Sequence, residues 1–208
     1  WDKKATEFLV ALVLHVLYTE EDERKNLAVV RQKLMDFERT IHEMQTSPHI
    51  TDYRTGRPAT HPEVLRVANS LSDKADRFKQ SVTGTAESYL TLFADEIIAE
   101  NTSISDFCIG DLMCADKPVS LYLQPPPSDA ARLSPLIRLI ISQISRSLME
   151  NIDTDSKGRK KKHKLLLLLD ELPTLGKLEF LQVNIGKMAG YGVESFLVVQ
   201  PLKHIARA

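Results

Sequence analysis

Five consecutive leucines followed directly by two carboxylates constrain this chain more than any other stretch. Leu165 to Leu169 form a short, wholly apolar run, and Asp170 and Glu171 follow it without a spacer. Such a run predicts a strand buried on both faces, as in a parallel sheet covered by helices. Ionised carboxylates are too costly to leave in that interior, so they must emerge where the strand ends. In open α/β sheets the carboxyl ends of the strands form the ligand-binding edge.

An apolar strand followed by Asp-Glu is typical of the Walker B motif of P-loop NTPases. In that motif the Asp holds Mg²⁺, usually through water, and the Glu orients or deprotonates the attacking water. Two other interpretations fit the same residues. A run of five leucines is compatible with a buried helix, and Asp-Glu also suits the first turn of a helix. The motif therefore has to be judged by its neighbours in the sequence.

Composition places the chain among ordinary soluble globular proteins, since 43% of its residues are apolar and 26% are charged. The net charge of −1 hides an asymmetry. Residues 1–115 contain 13 Lys and Arg against 19 Asp and Glu (−6), and residues 116–208 contain 14 against 9 (+5). This split predicts two modules. Two cysteines, Cys108 and Cys114, exclude a disulfide framework and argue against a zinc site. Because the chain begins with Trp1, we expect it to be part of a longer protein.

Residues 1–115 predict an all-α domain. Apolar residues recur at spacings of three and four, and one such stripe predicts a single amphipathic helix across residues 27–44. The stripe consists of Leu27, Val30, Leu34, Phe37, Ile41 and Met44. The segment 46–62 carries three prolines and a glycine, and so predicts a loop.

Residues 116–208 predict a different architecture, in which strands alternate with helices. Val119–Leu123 is a candidate strand that ends before three prolines, and a helix follows from Ser128 onward. After the leucine strand we expect a helix over residues 178–189, ended by Gly190 and Gly192, and then a third strand over Phe196–Val199. This order predicts a doubly wound α/β unit with a partial parallel sheet.

Three blocks of the sequence resemble the coupling ATPases of bacterial conjugation and type IV secretion, the TraG/TraD family. They are VSLYLQPPPSDAARLSPLIRLIISQI (119–144), KLLLLLDELPTLGKLEFLQ (164–182) and GYGVESFLVVQ (190–200). The most specific part is the continuation of the strand into Asp-Glu-Leu-Pro-Thr-Leu-Gly at 170–176. The resemblance implies an all-α domain inserted into a RecA-like P-loop NTPase core. Residues 1–115 would be the all-α domain, and residues 116–208 a partial RecA-like nucleotide-binding domain carrying Walker B.

The resemblance also implies a function. Such proteins are membrane-anchored, hexameric ATPases at the cytoplasmic face of the bacterial inner membrane, and the present part would itself be soluble. They use ATP and Mg²⁺ to pass relaxase-bound single-stranded DNA, or effector proteins, to the type IV secretion channel. By this resemblance Asp170 would hold Mg²⁺ through water, Glu171 would position the attacking water, and Gln200 would sense the γ-phosphate. A plain polar residue at a strand end is the alternative for Gln200.

Several points stay open at the level of sequence. The chain contains no Gly-x-x-x-x-Gly-Lys-Ser/Thr, so no residues for binding the nucleotide phosphates are identified, and we expect this chain alone to be inactive as an ATPase. Neither Arg138 nor Arg146 is favoured as an arginine finger. The basic run 158–164 is either a nucleic-acid contact or a solvated loop. The alternative functions are a non-catalytic substrate-docking module, or another hexameric DNA translocase of the FtsK/HerA type.

Overall fold

The structure, a computed structural model, describes residues 2–170 and 175–198. The chain divides into two compact units, Trp1–Ser105 and Asp106–Ala208. The sequence-based boundary lay at 115/116, whereas residues 106–115 cluster here with the second unit. Among the described residues, no helix is both long enough and apolar enough to cross a membrane.

The first unit is helical, as predicted for this half of the chain. Its core consists of side chains that are almost fully inaccessible to solvent, among them Phe8, Leu12, Leu34, Met44 and Val64. A short antiparallel hairpin lies in the segment predicted as a loop, with Ile50 opposite Ala59. The elements are α1 (Asp2–Thr19), α2 (Leu27–Met35), α3 (Phe37–Thr46), β1 (Ile50–Thr51), β2 (Pro58–Ala59), α4 (Pro62–Ser72), α5 (Asp76–Leu90) and α6 (Glu96–Asn101), with 3-10 turns at Asp22–Arg24 and Thr91–Ala94.

The single helix predicted over residues 27–44 is wrong, because the chain breaks at Asp36. The backbone of Asp36 leaves the helical region (φ −105°, ψ 63°) and its N–H donates to the carbonyl of Lys33. The hydroxyl of Thr40 also donates to that carbonyl, at 2.6 Å. These bonds satisfy a carbonyl at the end of α2 and fix the angle at which α3 begins. The apolar stripe continues through the break, so helical periodicity alone could not reveal it.

A buried pair of histidines joins α1 to the segment before β1. His15 is 1% exposed, and its Nδ1 lies 2.9 Å from Nε2 of His49. Nδ1 of His49 accepts from the backbone N–H of His61, so the proton of neutral His49 is on Nε2 and is donated to His15. The remaining nitrogen of His15 faces Glu43 at 3.8 Å. This arrangement requires His15 to be neutral, because its Nδ1 is the acceptor.

The stability of the first unit is therefore expected to fall in mild acid. Burial, together with Lys33 and His49, lowers the pKa of His15 to about 4, although Glu43 and Glu20 oppose the shift. Between an ordinary value of about 6.5 and this value, the unfolded chain binds the proton that the folded chain excludes. The free energy of unfolding should thus decrease by roughly 2–3 kcal/mol as the pH falls from 6.5 to 4.5.

Urea unfolding at a series of pH values measures this dependence. His15→Gln should reduce the slope of stability against pH, whereas His42→Gln, which changes an exposed histidine on α3, should leave it unchanged. An unaltered slope in His15→Gln would show that another group causes the acid sensitivity.

The second unit combines helices with a small parallel sheet in the described residues. The leucine run is indeed a strand, and it pairs in parallel with the strand that follows the next helix, from Leu165 opposite Val193 to Leu169 opposite Leu197. This last strand begins earlier than the predicted Phe196. The elements are α7 (Asp111–Cys114), α8 (Ala130–Leu148), β3 (Leu165–Leu169), α9 (Glu179–Met188) and β4 (Val193–Leu197), with a 3-10 turn at Ala189–Tyr191.

Only one face of this sheet is covered by the described residues, so the prediction of a strand buried on both faces is wrong for them. Leu169 and Val193 belong to a core that includes Ile141 and Leu148 of α8, Leu181 and Met188 of α9, and Met113 of α7. On the opposite face Leu166, Leu168 and Phe196 are 61%, 60% and 57% exposed. The leucine run is apolar on both of its faces, and the described residues cover one of them.

The strand predicted over Val119–Leu123 does not form among the described residues. The segment has no ladder partner there, and Val119, Leu121 and Tyr122 are exposed. Strand propensity is realised only when a neighbour satisfies the backbone groups and packs against the side chains.

Candidate functional site at the carboxyl end of the leucine strand

Strand β3 delivers Asp170 to the carboxyl edge of the sheet. The ladder continues to the end of the strand, where the N–H of Val198 donates to the carbonyl of Leu169 at 2.9 Å. Leu169 is buried, and Asp170, the next residue, is exposed. The carboxylate thus emerges where the apolar strand ends, as the sequence predicted. Glu171 and Gln200, the two predicted catalytic residues, lie outside the described residues, and their roles stay predictions.

The chain that returns after β3 is fastened to the beginning of α8. Ser134 is buried on α8, and its hydroxyl donates to the carbonyl of Leu175 at 3.1 Å. Gly176 follows with φ +70°, in the left-handed region that favours glycine. A β-carbon placed on Gly176 would lie 3.6 Å from the guanidinium of Arg138. The described end of the Pro-Thr-Leu-Gly turn is therefore a constrained connection held against α8.

Helix α9 and the turn after it fix the second strand of the edge. Leu181 and Met188 are buried, and α9 packs against α8. Gly192 then takes φ +77° before β4 begins, which confirms the predicted helix end. Because both strands are held from the same side, the position of Asp170 is set by two helices as well as by the ladder.

Several cations of the basic run 158–164 form ion pairs within this unit, which neither sequence-based alternative included. Arg159 pairs with Asp111 at 2.6 Å and with buried Asp155 at 2.7 Å. Lys162 pairs with Asp116 and Lys164 with Glu194. The run therefore ties the segment around α7 to the beginnings of both strands. Because Lys162 and Lys164 stay about half-exposed or more, the run is a solvated segment whose cations are also ion-paired.

Lys161 differs from the other cations of the run because its partners are three backbone carbonyls. Its ammonium donates to the carbonyls of Leu148 (2.6 Å), Asn151 (2.7 Å) and Tyr191 (3.1 Å). It thereby joins the end of α8, the following loop and the turn before β4. Burial lowers the pKa of Lys161, although all three acceptors favour the charged form. The one hint in the sequence is a lysine placed four residues before an apolar strand, which does not specify its partners.

Asp170 is the carboxylate that could interact with a divalent cation at the described part of this edge. Among the described residues there is no group of three or more His, Cys, Asp or Glu side chains that could hold a metal ion. Mg²⁺ keeps most of its waters and commonly takes one or two carboxylates together with substrate phosphates. A single exposed carboxylate at a strand end fits a water-mediated role of this kind.

Comparisons with known proteins agree on one family. The family model described as "Type IV secretory system Conjugative DNA transfer" matches residues 1–207. The chain is 38% identical over 210 residues to "Conjugal transfer protein TraG" of Escherichia coli, covering 99% of the chain and 33% of that protein. It is 31% identical over 141 residues to "Protein VirD4" of Agrobacterium fabrum, covering 67% of the chain and 20% of that protein. No solved structure matches significantly. The chain spans about a third of the length of the TraG relatives.

Proposed function

Because the chain belongs to the type IV secretory system conjugative DNA transfer family, we propose that it is part of a longer coupling protein that uses ATP to move DNA toward a secretion channel. The observation that carries the proposal is the placement of Asp170. Its carboxylate follows an apolar strand at the carboxyl edge of a parallel pair, where open α/β sheets bind ligands.

In the proposed site Asp170 holds Mg²⁺ through water, Glu171 orients or deprotonates the attacking water, and Gln200 contacts the γ-phosphate. Phosphoryl transfer needs little covalent help from the protein, because its barrier is lowered by neutralising charge and aligning the nucleophile. Bound Mg·ATP would supply the reactive phosphoryl group and the charge compensation. The contribution of β3 is to place Asp170 directly after the last residue of a hydrogen-bonded strand.

The open face of the sheet supports a RecA-like core in the longer protein. Leu166, Leu168 and Phe196 form an apolar surface that is too exposed for a finished parallel sheet. We propose that further strands and helices of the longer protein cover this face and supply the phosphate-binding loop. Val119–Leu123 would then become a strand beside its neighbours.

The assembly around this core is also part of the proposal. The longer protein would be a hexamer at the cytoplasmic face of the inner membrane. It would receive single-stranded DNA bound to relaxosome proteins, or effector proteins, and pass them to the channel. Family membership supports the transfer machinery as its partner. The net charge of −6 on residues 1–115 favours a protein rather than DNA as the contact of the helical half.

Steady-state hydrolysis of Mg·ATP by the longer protein tests the proposal. We expect turnover in the unmodified protein and loss of turnover in Glu171→Gln, since the amide cannot accept a proton from water. Equal turnover in both proteins would remove Glu171 from the mechanism.

A further inference from the structure

A groove separate from the strand edge runs between α8 and the beginning of α9. Its volume is about 340 Å³, and it is partly open to solvent. Three cations line it: Arg138 and Arg146 from α8, and Lys177 from the segment before α9. The ring of Phe180 forms part of its wall. The function proposed above makes no use of this groove.

Among the described residues that line the groove there are three cations and one carboxylate. Glu179 lines the groove and pairs with Lys177 at 3.5 Å. Neither Arg138 nor Arg146 has an ion pair within residues 2–170 and 175–198. Elsewhere in this unit arginines are paired, as Arg132 is with Asp129 and Arg159 is with Asp155. The described part of the groove therefore carries two guanidinium groups that can bind an external anion.

The spacing of the two arginines suits an extended ligand. Arg138 and Arg146 are eight residues apart on one helix, which places their α-carbons on the order of 12 Å apart along the axis. The guanidinium of Arg146 lies over the ring of Phe180, 5.7 Å from its centre. This pair presents a flat, partly apolar surface beside one of the two positive positions. A small anion would occupy one end, whereas a chain of phosphates with flat bases matches the whole length.

We propose that this groove binds the backbone of single-stranded DNA. Guanidinium groups bind phosphate oxygens with paired hydrogen bonds, and aromatic and guanidinium planes stack on bases without sequence preference. An acidic peptide would use the charges but leave the Phe180 surface unoccupied. The inference deepens the proposed function, on which it rests for the identity of the cargo, by assigning a place where DNA contacts the second unit.

Fluorescence anisotropy of a labelled oligothymidylate of twelve nucleotides, titrated with the 208-residue chain between 50 and 200 mM KCl, tests the proposal. We expect the double variant Arg138→Gln/Arg146→Gln to bind at least tenfold more weakly at 50 mM KCl. Two lost phosphate contacts should also make the slope of log affinity against log salt shallower by about 1.4, since each contact contributes about 0.7 for single strands. Circular dichroism verifies that the variant keeps its helix content.

A matched control removes the same charge from two exposed lysines outside the groove. Lys157 and Lys160 are exposed and have no ion pair within the described residues, so Lys157→Gln/Lys160→Gln also lowers the net charge by two. We expect this control to weaken binding less than twofold.

Three results would overturn the proposal: an equal loss in the control and the groove variant, unchanged binding in the groove variant, or no binding by the unmodified chain at 50 mM KCl. Displacement of the DNA by a polyglutamate peptide of equal charge at constant ionic strength would assign the groove to acidic proteins instead. Oligonucleotide binding does not require ATP hydrolysis. A failure here therefore removes the groove assignment and leaves the ATPase proposal to the Glu171→Gln measurement.

Discussion

Asp170→Asn in the longer protein is expected to reduce DNA transfer between cells at least a hundredfold. Asn keeps the size of the side chain but loses the negative charge that attracts the hydrated Mg²⁺. Removing one group that stabilises or prepares the transition state usually costs two to three orders of magnitude in rate. Because transfer depends on sustained hydrolysis in the proposed function, the loss should carry through to the number of recipient cells that acquire the transferred DNA.

The control for this experiment is a second Asp→Asn change in the same unit. Asp153 is exposed in the loop between α8 and β3, away from the carboxyl ends of the strands, so Asp153→Asn should transfer DNA at the unmodified rate. Both variants must be present in cells at equal amounts, as judged by immunoblotting. Unmodified transfer by Asp170→Asn would show that the carboxylate at the end of β3 is not part of the energy-supplying site.

Lys161→Met is expected to lower the free energy of unfolding of the second unit by about 2–4 kcal/mol. Methionine fills similar space but donates no hydrogen bond, so the carbonyls of Leu148, Asn151 and Tyr191 lose their shared donor. Buried polar groups left unpaired cost about 1–3 kcal/mol each, and bonds to charged groups are at the strong end. The urea midpoint of the 208-residue chain, followed by circular dichroism, measures the loss.

Lys160→Met is the matched control, since it makes the same change one position earlier on an exposed side chain. Its free energy of unfolding should change by no more than about 0.5 kcal/mol, the usual range for a surface substitution. Equal shifts in the two variants would mean that the stability of this unit reflects the total charge of the basic run and not the three carbonyl contacts of Lys161.

The sequence predicted best those features that depend on local pattern. The leucine run forms a strand, Asp170 emerges at its end, and Gly192 ends the following turn with a positive φ. Each of these depends on a residue type that admits few alternatives: a wholly apolar run, a charge that resists burial, and a residue without a β-carbon.

Features that depend on a distant partner could not be predicted in this way. The break at Asp36 is fixed by the hydroxyl of Thr40 and a carbonyl of the preceding helix, while the apolar stripe continues unchanged. The partners of Lys161 come from three separate segments. Val119–Leu123 has strand composition but no neighbouring strand among the described residues. The sequence pattern indicates which secondary structure a segment favours, but that structure forms only when a neighbouring element packs against it.

The candidate site was predictable only in part for the same reason. Strand direction and residue order place Asp170 at the edge. Two further features depend on how α8 packs beside α9: the bond from Ser134 to Leu175, and the positions of Arg138 and Arg146 in the groove. An arginine in an amphipathic helix has the same sequence signature whether it lines a groove or faces open solvent.

The most direct test of the account is ATP turnover and nucleotide affinity measured on the same preparation of the longer protein carrying Glu171→Gln. We expect at least a hundredfold lower turnover, with nucleotide affinity within about threefold of the unmodified protein, because the water-positioning group is lost while phosphate binding is kept. Glu194→Gln, at the opposite end of the sheet, should retain full turnover. Unchanged turnover in Glu171→Gln would contradict the assignment of the carboxylates that follow β3 in the sequence to catalysis.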